Sequence, residues 1–363
     1  MKVSMNVKFL NGPYGGGMQF SNTFKNFLIQ KNISVVNTLH DNDIDIILHI
    51  APLPFQEICS YSYAEAFIYK LKHPKTNIVL RINECDERKN THYMNQAFIR
   101  AAKFSDSIVF ISEYLKRIFT EQGIRSDITH RVIRNGADTN IFNSKGKIPW
   151  NRQEKLKIVT HHWGANVMKG HDAYQELDAI LSRDASFREK FEFTFIGNIP
   201  SNIRYSQTKT LLPLSGTQLA EELKKHHVYI TATRNEPAGM HHIEGALCGL
   251  PILYINSGAL PEYCSDFGIL FEKRNLRNAL LDMYDSYEKQ FDRILQYPNT
   301  AEKMCREFLE LFIELENQSK KTKSFPRKKT TFGQLLKIQT EAHFHFLFLR
   351  MKVYFESLKK MYE

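Results

Sequence analysis

The segment TATRNEPAGMHHIEGALCGLPIL, residues 231–253, concentrates groups suited to holding a hydroxylated, negatively charged ligand. Strand-like VYITAT leads into the loop RNEPAG and then into a helix-forming run, MHHIEGALCG, closed by Gly249 and followed by Pro251. Where a helix opens, backbone N–H groups without intrahelical partners, here those of Ala238, Gly239 and Met240, point outward and favour an anion. Gly239 lacks a Cβ, so phosphate can approach its backbone closely. Glu236 lies in the loop and Glu244 on the second turn of the helix, an arrangement expected to face one crevice. Carboxylates accept paired hydrogen bonds from vicinal hydroxyls, which matches a sugar ring or a ribose diol. Two glutamates at this spacing, taken alone, are more often an ordinary loop residue and a helix-face residue.

A second concentration is the glycine-rich PYGGGMQF after the first expected strand, where Gly15, Gly16 and Gly17 would let a ligand approach the backbone. It is not G-x-G-x-x-G, and no ribose-binding acid follows at the usual distance, so a nicotinamide cofactor is not indicated. The pairs His161–His162 and His241–His242 invite a metal reading. Neighbours on a strand point to opposite faces and neighbours on a helix splay apart, so neither pair makes a natural chelate; zinc is not expected, and a divalent metal is not indicated. The acidic DNDID at 41–45 precedes a strand and reads as a turn.

These residues need a scaffold, and the sequence supplies its pattern twice. VSMNVKFL, DIDIILHI, NIVLRI and SIVFIS read as buried strands, with amphipathic stretches at 21–31, 61–72, 94–103 and 113–122. The polar stretch NSKGKIPWNRQEK, 143–155, interrupts the pattern. LKIVTHHW, FEFTFIGN, VYITAT and LPILYI then restart it, with helices over 170–182, 217–225 and 241–249. The expectation is α/β architecture: two Rossmann-like, doubly wound domains facing across a cleft, spanning 1–147 and 148–318, with a basic linker and apolar helix over 319–363. Ligands of such sheets bind beyond the carboxyl ends of the strands, where the motifs above fall.

The 363 residues, 42% hydrophobic and 24% charged, fit a folded chain of two domains. Five scattered cysteines without a C-x-x-C pair argue for a reducing compartment, and MKVSMNVKFLNG reads as a first strand, not a signal peptide, so a cytoplasmic location is expected. The net charge of +10 is uneven, with KKTKSFPRKK at 320–329 carrying much of it. Such a run meets water or an anionic lipid surface. No RRM, KH or zinc-finger pattern accompanies it, so nucleic acid is not an expected partner. The final helix is apolar over 344–355 but interrupted by Arg350 and Lys352 and too short to span a bilayer; it either braces the protein or lies at the inner face of a membrane.

EPAGMHHIEGALCGLPIL resembles the EPFGxxxxEAxACGxPV signature of family 4 retaining glycosyltransferases, which adopt the two-domain GT-B fold. NGPYGGGMQF, SIVFISEYLKRIF, VIRNGADTNIF, VMKGHD, FTFIGN and SGALPEY resemble the companion motifs in order and spacing over most of residues 1–275. The resemblance implies that Glu244 holds the ribose hydroxyls, Glu236 the hydroxyls of the donor sugar, and Lys169 the diphosphate. The family commonly has an arginine five residues before that lysine; here the position is Gly164, which leaves His162 and Arg234 as further phosphate candidates. A family histidine in the first half is replaced within RINECDERK, so Asn83, Asp86 and Arg88 stand as candidates for acceptor or sugar contacts, beside Arg81 and Glu84.

The function implied is transfer of a hexose-type sugar from a nucleoside-diphosphate sugar, the donor substrate, to a glycan, lipid-linked or other hydroxyl acceptor, in cell-surface polysaccharide or glycoconjugate synthesis and without a required cofactor. A sugar-nucleotide epimerase or phosphorylase on the same scaffold would need acid–base residues or a Schiff-base lysine that the sequence does not single out. A non-catalytic lipid or nucleic-acid binder would not need the glutamate-bearing loop.

Overall fold

The computed structural model describes residues 1–10, 16–321 and 332–362. Its contacts divide into two units, one of residues 1–134 together with the chain from Met304 onward, the other of Asn135–Lys303.

In the first unit β1 (Lys2–Met5), α1 (Gly16–Gln30), β2 (Ser34–Val36), β3 (Ile46–His49), α2 (Tyr63–Lys72) and β4 (Asn77–Ile82) follow in order. They are succeeded by α3 (Asp86–Lys89), α4 (Met94–Ala102), β5 (Ser107–Phe110), α5 (Glu113–Glu121) and β6 (Thr129–Val132). The helix starts are chemically marked: Ser62 and Glu65 form a reciprocal capping box on α2, and the Ser112 hydroxyl accepts from Leu115 N–H on α5. The strands are short, the inner four are buried while the edge strands β2 and β6 are partly exposed, and all pair in parallel in the order β2-β1-β3-β4-β5-β6. The sheet therefore reverses its winding between β1 and β3.

The second unit repeats the scheme with β7 (Leu156–His162), α6 (His171–Arg183), α7 (Ala185–Lys190), β8 (Phe191–Gly197), β9 (Lys209–Leu211) and α8 (Gly216–Lys224). It continues through β10 (Val228–Thr231), α9 (His241–Leu247), β11 (Ile252–Tyr254), α10 (Leu260–Cys264), β12 (Gly268–Leu270), α11 (Leu276–Asp285) and α12 (Tyr287–Ile294). Its parallel order is β12-β11-β10-β7-β8-β9, with the reversal between β7 and β10. Ile158, Phe193, Phe195, Val228, Ile230 and Leu253 of the sheet pack on Tyr174, Leu177, Leu181, Leu280 and Met283 of α6 and α11.

The division at 134/135 falls ahead of the boundary expected from the polar stretch. The reason is hydrogen bonding over distance in sequence: Asn135 N–H donates to Tyr263 Oη at 2.9 Å and Ala301 N–H to Ala137 C=O at 2.9 Å, so the chain is tied to the second unit before its polar stretch begins. From Met304 the helix α13 (Ala301–Lys321) belongs to the first unit, not to the second as a boundary at 318 would have it. Its Phe308 ring lies 5.1 Å from Phe20 and 5.3 Å from Phe24 of α1, inside the core formed by β1, β3 and β4.

The last helix, α14 (Phe332–Tyr362), also belongs to the first unit. Leu349 is fully buried, Phe346 meets Tyr63 edge-on at 5.2 Å, and Glu356 accepts from His92 N–H at 2.9 Å. Its other side exposes Phe344, Leu347, Phe348, Met351, Tyr354 and Phe355. No helix among the described residues is long and apolar enough to cross a membrane. Residues 11–15, which include Gly15, and residues 322–331 of the basic segment lie outside the described residues.

Candidate active site

In the second unit, the winding reversal places two loops side by side: residues 163–170 after β7 and 232–240 after β10. They are joined at two points. Arg234 N–H donates to Met168 C=O at 2.9 Å. Gly170, at φ +82°, passes so close that a Cβ there would sit 2.1 Å from the Ala232 carbonyl oxygen. The junction brings Lys169 Nζ to 3.8 Å from Glu236 Oε2, with the lysine mostly and the glutamate almost wholly withdrawn from solvent. Ala259 N–H donates to Glu236 C=O at 2.8 Å from the opposite side, fixing the loop backbone. Ala238 is buried, and Gly239 and Met240 are half-buried.

Glu244 lies one turn into α9, which has seven residues and starts at His241 with no side-chain cap. Its carboxylate is buried and accepts from or pairs with His161 Nε2 at 2.8 Å. His161 Nδ1 in turn lies 3.1 Å from Tyr229 Oη. His162, its strand neighbour, points to the opposite face of β7, where Nε2 meets Tyr174 Oη at 2.8 Å. The sequence reading favoured His162 as a ligand candidate; the structure places His161 against Glu244 and His162 in the layer with Tyr174 and Phe195. The strand also carries Lys157, Thr160 and His162, so composition did not single out His161, and its partner is 83 residues away.

The two helix histidines are also interior. His241 Nε2 meets Thr231 Oγ1 at 2.9 Å, and burial, reinforced by His162 and His242, holds its pKa well below the ordinary histidine value. His242 is fully buried, edge-on to Tyr263 at 5.4 Å, and burial pushes its pKa down to about 4 against the opposing pull of Glu236 and Glu244. Both rings are therefore neutral at physiological pH and are no charged partners for a phosphate. Among the described residues no three His, Cys, Asp or Glu side chains are placed to share a metal ion.

Arg234 is half exposed and ion-paired with Asp172 at the rim of a cavity of about 360 Å³ that Asn256, Phe271 and Lys273 also line. Gly164 has open space around it. The candidates in the first unit are distributed differently. Asp86 accepts from Thr91 Oγ1 at 2.6 Å, Tyr93 N–H at 3.0 Å, Met94 N–H at 2.8 Å and Asn95 N–H at 3.1 Å, closing the start of α4. Its oxygens are thus occupied by its own loop. Arg88 is buried, and Glu84 pairs with Lys89 at 3.0 Å. Arg81 is buried with its guanidinium 3.8 Å above the Phe20 ring. Asn83 lies next to Gly17, near the exposed Gly16 at the start of α1, and its Oδ1 is buried without a hydrogen-bond partner among the described residues.

No family model matches the chain. An uncharacterized glycosyltransferase of Methanocaldococcus jannaschii, MJ1178, is 26% identical over 207 residues, which cover 55% of this chain and 56% of the relative; the chain thus matches about half the length of this curated relative. Among solved structures, Anabaena Alr3699/HepE in complex with UDP and glucose aligns over 86% of this chain and all of its own, at 14% identity and a TM-score of 0.62. A glycosyltransferase from Rickettsia africae aligns over 86% of this chain and 98% of its own, at 13% identity and a TM-score of 0.59. These likenesses show a GT-B fold, with two parallel six-stranded sheets and flanking helices.

Proposed function

We propose that the chain is a retaining glycosyltransferase that moves a hexose from a nucleoside-diphosphate sugar to a hydroxyl acceptor. The observation that carries this is the junction of the two reversal loops, which holds the Lys169 ammonium 3.8 Å from the Glu236 carboxylate. In this reading Lys169 and the amides of Ala238, Gly239 and Met240 take the diphosphate, Glu236 takes hydroxyls of the donor sugar, and Glu244 takes the ribose diol. The likeness to glycosyltransferases, one of them solved with UDP and glucose, supports the same donor class.

The chemistry required is departure of a nucleoside diphosphate while positive charge develops on the anomeric carbon. A lysine fixed before the reaction stabilises the leaving oxygens without reorganising at the moment of bond breaking. Retention follows if the departing phosphate accepts the proton of the acceptor hydroxyl on the same face; no side-chain nucleophile then enters. Neutral His241 and His242 fit this division, since neither adds charge near the sugar.

The test is transfer from radiolabelled UDP-, GDP- and ADP-sugars by the intact chain and by Lys169→Ala and Glu236→Ala. Each variant should lose roughly 100- to 1,000-fold in transfer while keeping its fold, the scale of removing one preorganised group. Undiminished transfer by both variants would sink the assignment.

The acceptor side of the proposal rests on α14. Its exposed apolar side and the excess of 11 Lys and Arg over 3 Asp and Glu within residues 320–363 suit a peripheral site at an anionic, cytoplasmic membrane face, where a lipid-linked or growing surface glycan is presented. Cosedimentation with anionic vesicles, and its loss in a Phe344→Ser, Phe348→Ser, Phe355→Ser variant, tests it; equal sedimentation with and without vesicles would rule it out.

A further inference from the structure

We propose that His161 is a positioning residue, the middle of a Tyr229–His161–Glu244 chain that orients the Glu244 carboxylate toward the nucleotide ribose. The proposal rests on the reading of Glu244 as the ribose contact.

The direction of the protons follows from the donors available. Tyr229 Oη accepts the backbone N–H of His161 at 3.1 Å. Its own hydroxyl proton can go to His161 Nδ1 at 3.1 Å or to the His161 carbonyl at 3.4 Å, while the Thr160 hydroxyl, also bonded to Tyr229, can donate to the same phenol oxygen. Donation to the nearer atom makes Nδ1 an acceptor, which leaves the ring proton on Nε2, and Nε2 faces Glu244 Oε2 at 2.8 Å. A buried carboxylate gains a donor without taking up a proton. One oxygen is fixed by the ring, and a carboxylate retains acceptor sites beyond a single bond. The plane of the carboxylate is thereby set before any ligand arrives, the condition for a bidentate grip on two vicinal hydroxyls.

Packing fixes the spacing of this chain. Tyr229 is fully buried, and its ring lies so close to Gly245 that a Cβ there would come within 2.4 Å of Tyr229 Cδ2. Gly245 stands where the signature quoted above has alanine. The missing methyl is the room that the Tyr229 ring occupies, and it sits directly after Glu244, so the same two-residue step of α9 carries the carboxylate and admits the ring that anchors its partner.

The experiment compares binding of a nucleotide with that of its 2′-deoxy counterpart by isothermal titration, using whichever of UDP, GDP and ADP raises the melting temperature most. The intact chain should prefer the ribose form by about tenfold or more, the scale of one hydrogen bond to a charged group. In His161→Leu the preference should fall below about threefold, His161→Gln should keep most of it because its amide can replace the Nε2 donor, and Gly245→Ala, which alters no polar group, should reduce it by displacing Tyr229. If no nucleotide binds, or if the intact chain binds both forms equally, the ribose reading of Glu244 fails and this proposal with it. If the intact chain discriminates and folded His161→Leu discriminates equally well, only the positioning role is overturned. Should His161→Leu not fold, unchanged discrimination in Gly245→Ala together with loss in His161→Gln would overturn it.

Discussion

The two units build the same kind of sheet and reverse its winding once each, yet the charged residues singled out in their strand-end loops are used in opposite ways. In the first unit, Asp86 is consumed by donors within nine residues of itself, and Arg81 is stacked on Phe20 in the core. In the second, the charged side chains meet across loops: Lys169 with Glu236, and His161 with Glu244 at 83 residues' separation. Local capture of a carboxylate shapes a loop; remote pairing at a winding reversal leaves a carboxylate standing at a place the topology keeps for ligands. The same backbone plan thus carries two sets of strand-end loops, and the candidate carboxylates in them differ in how far away their partners lie.

The most severe way to break this contrast is to part the two loops of the second unit. Gly170→Ala places a methyl 2.1 Å from the Ala232 oxygen at a backbone φ of +82°, where side chains are strained whatever the space. A loss of roughly 3–5 kcal/mol is expected, at the upper end for single substitutions, with transfer lost in parallel. A melting temperature within two degrees or so of the intact chain would show that the junction is not held this tightly.

Acidification should separate the units next. Burial holds His226 and His242 near pKa 4, His227 near 3, and His241 well below the ordinary value, all in the second unit, against His49 and His345, each near 4, in the first. A histidine whose folded pKa lies under its unfolded value of about 6.5 contributes its full stability above pH 6.5. That contribution is lost as pH falls from there toward the folded pKa, by at most about 1.4 kcal/mol per group and pH unit. At pH 5.5 the second unit should therefore have lost about 2 kcal/mol more than the first, in which the half-exposed His345 contributes less than a buried ring because solvent screens it. Amide hydrogen exchange at pH 7 and 5.5, corrected for intrinsic rates, reads each unit separately; equal losses would contradict the burial of the second unit's histidines.

Much of this was legible from residue types. Buried β-branched runs such as NIVLRI and amphipathic stretches between them gave both sheets and most helices, because those patterns depend on neighbours in sequence. The unit boundary was less legible: polar composition at 143–155 marked a surface stretch, while the tie of Asn135 to Tyr263 depends on partners more than a hundred residues away. The same limit governs the site. Glu236, Glu244 and Lys169 stood out through motif and position, but choosing between His161 and His162, which both lie near His241 of α9, required knowing which ring reaches Glu244. Asp86 was read as a ligand candidate because its capping partners form a loop whose shape its sequence does not announce.

Asp86 also offers a smaller test of the contrast. Asp86→Ala removes acceptors from three backbone N–H groups and one hydroxyl, so about 1–2 kcal/mol of stability should be lost while transfer by the folded protein changes less than twofold. A large fall in transfer at unchanged melting temperature would instead return this loop to the site.

The smallest effect is expected at Gly17, and it decides whether the first unit's own winding reversal takes part in binding. An added Cβ would lie 3.4 Å from Asn83 Nδ2, at the near edge of ordinary contact, and the backbone there is helical. Gly17→Ala should leave stability within about 0.5 kcal/mol of the intact chain or raise it slightly, since alanine restricts the unfolded chain. If the glycines serve only to turn the chain into α1, donor KM and kcat stay unchanged as well. A rise in donor or acceptor KM at unchanged kcat and melting temperature would mean that a ligand needs the space above this backbone, placing Gly17 and the half-buried Asn83 in a second, acceptor-side contact that pairs of charges do not mark.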